Sequence, residues 1–164
     1  MTRALMTALA ILLPALAMAQ DPGEIQRLFE AGRFQQVVAA SNPASPPDVL
    51  YFAAQSQQKL GAMDQAAQAF NQLAARPEAD PWHFIGLSGR QLVEGNADAS
   101  VASARQAAAM APDLPAGHFQ LGLALARQQP WPEAAAEFEA AIRNSKDGTL
   151  LLVNRDGHTT FVAI

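Results

Sequence analysis

The sequence predicts an all-α chain, a solenoid of stacked helix–turn–helix units that ends in a short β-hairpin. Three observations carry that expectation. Pro47, Pro81 and Pro115 stand 34 residues apart, each opening a stretch of helical character. Alanine is abundant and charged residues make up only 16% of the chain, a composition that favours helix and supplies a core. Past Lys146 the helical pattern gives way to β-formers around Asp156-Gly157, a strong hairpin signal.

The first element, residues 1–19, reads as a secretory signal peptide. Arg3 gives a positive start, Ala4 to Leu16 form an apolar run, and Ala17-Met18-Ala19 make a small-x-small cleavage pattern ahead of Gln20. The run is too short to span a bilayer, and no later stretch approaches the roughly twenty apolar residues a span requires. Arg3 is the one charged residue of this segment, so its removal takes the formal charge from −4 to −5. The expected destination is the periplasm, with secretion as the other outcome and no stable membrane insertion. The chain has no cysteine. Disulfides, thiolate chemistry, cysteine-ligated zinc and an N-terminal lipid anchor are thereby excluded, and the fold must hold by packing alone.

The repeat region, residues 20–146, opens with a shortened unit at 22–42. Glu24 to Ala31 and Phe34 to Ser41 flank Gly32, and Asn42-Pro43 and Pro46-Pro47 then break the chain. Units at 47–80, 81–114 and 115–146 follow. Their opening prolines suit the first turn of a helix, where a missing N–H costs nothing, and Ser45 and Asp80 stand where they can cap. Four further series keep the same step: Ala54, Ser88 and Gly122; Ala66, Ser100 and Ala134; Phe70, Ala104 and Phe138; Leu73, Ala107 and Ala141. Small members let two helices approach and large ones fill the space around the contact. Gly61 and Gly95 fall between the two helical runs of their units, where a turn needs backbone freedom. No single helix pair hides its own apolar face, so the units must stack.

The unit from Pro115 to Ser145 resembles a tetratricopeptide repeat (TPR), with Leu121-Gly122, Trp131, Ala134, Phe138 and Ala141 in the diagnostic places. The unit from Pro47 follows with Gly61, Ala66 and Phe70. The unit from Pro81 is degenerate, with Ala97 and Ala104 in place of bulky residues, though Pro112 ends it as the family expects. With the leader, the chain resembles an exported bacterial member of that family. The resemblance implies a TPR-like α-solenoid that is not an enzyme and holds another protein or peptide in an apolar concave groove lined by the first helix of each unit. Carried over to this chain, the groove residues are Tyr51, Gln55, Trp82, Ile85, Phe119, Leu123 and Arg127. The Lys, Arg and Asn clamp with which the family grips C-terminal carboxylates is missing at the matching positions. The tail, 147–164, also departs from the family, which usually closes its stack with a solvating helix. A lone hairpin is marginal in water. It is expected to lean on the helices around Phe138 and Ile142, to fill the groove, or else to pair with a sheet edge of another chain.

The remaining residues offer no catalytic set. His83, His118 and His158 lack metal-ligand spacing and read as solvent-facing or cap-adjacent. Gly86, Gly89 and Gly95 form neither a dinucleotide fingerprint nor a P-loop, and no nucleophile elbow occurs. No metal, cofactor or nucleic-acid partner is expected, the last because the charge of −4 comes with no basic stripe to neutralise phosphates. The expected function is that of a non-catalytic periplasmic scaffold or adaptor. The alternative is a structural subunit that forms homo-oligomers through the hairpin.

Overall fold

The computed structural model describes residues 21–145, together with the backbone of residues 151–155 and 158–162. The leader expected at 1–19 and the turn expected at Asp156-Gly157 lie outside the described residues. Eight helices follow one another among those described: α1 (Pro22–Glu30), α2 (Phe34–Ala40), α3 (Pro47–Lys59), α4 (Met63–Ala74), α5 (Pro81–Val93), α6 (Ala97–Met110), α7 (Pro115–Gln128) and α8 (Trp131–Asn144). They are followed by β1 (Leu151–Arg155) and β2 (His158–Val162), antiparallel, with Leu151 opposite Val162 and Arg155 opposite His158.

The three prolines of the 34-residue series occupy one setting, the first residue of α3, α5 and α7. Asp80 caps α5, its Oδ1 accepting from the Trp82 N–H at 3.0 Å while Oδ2 holds Arg76 at 2.6 Å. Ser45 lies in the turn that leads into α3. It stands one residue before the cap position, which Pro46 occupies, and accepts the Asn42 N–H at 2.9 Å, closing the preceding loop.

The turns within the pairs share a left-handed residue. Gly32, Gly61 and Gly95 take φ of 70°, 76° and 81°, and in the fourth pair Gln129 takes 72°. Gln129 follows Gly95 by the repeat step of 34 but carries a Cβ, so it meets the steric cost that glycine avoids.

Three apolar clusters run through the stack, each drawn from adjacent pairs. Ile25, Val37 and Val49 join α1 and α2 to α3. Leu50, Tyr51, Ala54, Ala69, Phe70, Leu73, Ile85 and Ala107 join the second pair to the third. Val101, Ala104, Leu121, Ala124, Leu125 and Ala134 join the third to the fourth. Helices touch in chain order, and α1 with α3 and α5 with α7 meet as well. That is the arrangement of a one-dimensional stack.

Helices α4 and α5 approach closely. A Cβ at Gly86 would collide with backbone atoms of Phe70 and Ala74, and one at Gly89 with the Phe70 ring. Within the fourth pair, Gly122 gives the same room to the Phe138 ring.

Two substitutions test these points by chemical denaturation. Gly86→Ala gains about 1 kcal/mol of helix propensity. The collision with rigid α4 backbone costs up to about 3 kcal/mol, so a net loss of stability is expected. Gln129→Gly relieves the left-handed strain and stabilises by about 0.5 kcal/mol after the added flexibility of the unfolded chain is deducted.

Candidate binding face and buried polar ladder

The first helices α3, α5 and α7 carry all seven expected groove residues, and the structure divides them. Tyr51, Gln55 and Ile85 retain 3%, 5% and 0% of their surface and belong to the interior, which corrects their assignment to an open groove wall. Ile85 is enclosed in the cluster that joins the second pair to the third. Tyr51 belongs to the same cluster, and its hydroxyl and the Gln55 amide both meet Gln120 on α7.

Four of the seven reach the surface. Trp82, Phe119 and Leu123 are half-buried, and Arg127 is exposed in the last turn of α7. The Trp82 ring leans on Tyr51 with centroids 5.9 Å apart, and Phe119 leans on Phe138 at 5.5 Å. Each aromatic is thus anchored on one side and wetted on the other, the geometry that suits a rigid contact residue.

Beneath this face lies a set of linked polar side chains whose central member, Gln120, repeat matching alone did not single out. Gln120, with no exposed surface, accepts from the Tyr51 hydroxyl at 3.2 Å and from Gln55 Nε2 at 3.4 Å. Its own Nε2 donates to Ser88 Oγ at 3.2 Å. Ser88 and Ser100 hydroxyls meet at 2.9 Å, and Ser100 Oγ donates to the Ser88 carbonyl at 2.9 Å. A signal was present. Ser88 and Ser100 are the hydroxyl members of series otherwise made of Ala and Gly, and Gln120 interrupts an apolar run.

His83 and His118 are more engaged than the sequence suggests. His118 Nδ1 lies 2.7 Å from Glu137 Oε2 and Nε2 lies 2.8 Å from the Pro112 carbonyl, which also accepts from Asn144 at 2.7 Å. These bonds tie the start of α7 to α8. His83 Nδ1 lies 3.0 Å from the Arg76 carbonyl, its ring edge-on to Phe84. Among the described residues no group of three His, Cys, Asp or Glu could hold a metal.

Burial pushes the Tyr51 phenol above its ordinary value, with the Gln55 hydrogen bond pulling more weakly the other way. Below about pH 10 the phenol is protonated in both folded and unfolded chains and adds no pH dependence. Above that the unfolded chain releases the proton while the folded one keeps it, so stability falls by up to about 1.4 kcal/mol per pH unit. Tyr51→Phe is expected to lose this alkaline decline and, at neutral pH, about 1 kcal/mol for the hydrogen bond. Denaturation of both proteins at pH 8 and pH 11 checks it, and ultraviolet absorbance follows the chain's one tyrosine directly.

No family model and no curated protein sequence matches this chain. Among solved structures, a thermophilic TPR protein of Thermus thermophilus superposes with a TM-score of 0.53 and 21% identity, over 78% of this chain and 76% of that one. The MamA RS-1 ArsTM double mutant is a weaker likeness, with a TM-score of 0.43 and 17% identity over 76% of this chain and 75% of that one, and adds nothing to it. At such identities the likeness concerns fold alone. Paired helices in serial contact, proline-led first helices and left-handed turns within each pair make this fold a TPR-like α-solenoid.

Proposed function

We propose that this chain is a non-catalytic scaffold, exported to the periplasm, that holds an extended peptide or a helix of another protein against the first helices of its later units. The observation that carries the reading is the set of half-buried apolar side chains Trp82, Phe119 and Leu123, the two rings braced against Tyr51 and Phe138, with exposed Arg127 in the same helix as the last two. Braced aromatics lose little freedom on contact and are favoured anchors at interfaces, as is arginine. The fold supports the reading, since a solved structure it resembles is named as a TPR protein. The leader pattern supports export, and among the described residues no helix is long and apolar enough to cross a membrane.

Self-association through the tail is the second reading. Its motive is that β1 and β2 form a two-stranded sheet with no third strand among the described residues. Such edges are templates for strand addition.

A pulldown from envelope extract separates the two readings. Trp82→Ala, Phe119→Ala and Arg127→Glu together are expected to abolish recovery of the bound protein while circular dichroism stays helical. Equal recovery by both forms defeats the surface assignment. Light scattering of the chain shortened after Lys146 tests the other reading. A dimer or larger species that becomes monomeric on shortening establishes self-association through the tail.

A further inference from the structure

The polar ladder has a single consistent direction. Ser100 spends its proton on the Ser88 carbonyl, so the Ser88 proton must go to Ser100 Oγ. Ser88 Oγ is then the acceptor for Gln120 Nε2, and Gln120 Oε1 is left to receive both Tyr51 and Gln55. Every hydroxyl donates once and the carboxamide can stand only one way round. Four helices contribute, α3, α5, α6 and α7, and all five side chains are buried.

The span of the ladder is what sets it apart. In a helical solenoid each unit contacts only its neighbours, so curvature follows from one interface after another. Here Tyr51 and Gln120, 69 residues apart, join the second unit to the fourth across the third. Apolar packing is non-directional and accepts a range of crossing angles. Hydrogen bonds at fixed lengths accept few, and a buried amide pulled from its partners has no water to replace them.

We propose that Gln120 is a latch that sets the curvature of the second to fourth units: its carboxamide draws α7 toward α3 across α5 and keeps Tyr51 and Gln55 closed off from the first-helix face. With the latch broken the units relax to a more open curve and these two side chains become accessible. This depends on the packing alone and stands or falls apart from the scaffold reading.

The chain has no cysteine, which makes site-directed spin labelling clean. Gln68→Cys on α4 and Glu139→Cys on α8 place labels at exposed positions of the second and fourth units. In the full chain, pulsed electron paramagnetic resonance is expected to give one narrow distance distribution. Gln120→Leu, which keeps the approximate volume and removes the amide, is expected to broaden it and shift it to longer distance, and to return the Tyr51 phenol to ordinary titration. A folded Gln120→Leu protein with the parental distribution overturns the latch, even if it melts earlier, because loss of stability alone is what any buried amide would cause. Should Gln120→Leu fail to fold, Tyr51→Phe decides: a broadened or lengthened distribution supports the latch, and an unchanged one overturns it.

Discussion

The structure depends on how closely α5 lies against α4. Two glycines in one helix face, Gly86 and Gly89, remove the side chains that would hold the helices apart, and Phe70, Leu73 and Ala74 occupy the space. Glycine inside a helix costs about 1 kcal/mol relative to alanine. That cost is offset because close packing gathers many dispersion contacts along the junction, and Phe70, Leu73 and Ile85 lose all their exposure there. The third unit is thus joined to the second by absence of bulk on one side and a full ring on the other.

Closeness has a consequence for chemistry. Once the first helices are drawn together, polar groups at their shared face lose water and must find one another. Tyr51, Gln55, Ser88 and Gln120 do so, joined by Ser100 from α6, with each hydroxyl proton assigned. A network satisfied to this degree specifies geometry more sharply than an apolar filling of the same volume. It also explains why the face is narrower than the resemblance implies. A concave wall that in principle includes Tyr51, Gln55 and Ile85 is reduced to Trp82, Phe119, Leu123 and Arg127 at its rim.

The same trade appears at the ends of the pairs. Gln129 takes a left-handed φ of 72° where the other turns use glycine, and helix α8 starts two residues later at Trp131. The fourth pair is further tied by His118, whose two ring nitrogens meet the Glu137 carboxylate and the Pro112 carbonyl. A strained turn and a bridging histidine are both features that a repeat pattern does not announce, because each belongs to one unit only.

Most of the architecture is legible in the sequence because it rests on local rules. A proline that starts a helix, a glycine that permits a left-handed turn and a 34-residue phase of small and large residues act over a few positions or recur at a fixed step. From these alone follow the helix pairs, their order and the need to stack. The distance between the first helices does not follow, because it is decided by side chains from units far apart in sequence. Gln120 meets Tyr51 only after three units have packed, and whether Tyr51 faces a partner or the interior turns on that meeting. Tertiary structure therefore decided which residues of the first-helix face are open, since burial is a property of the assembled stack and not of any one repeat.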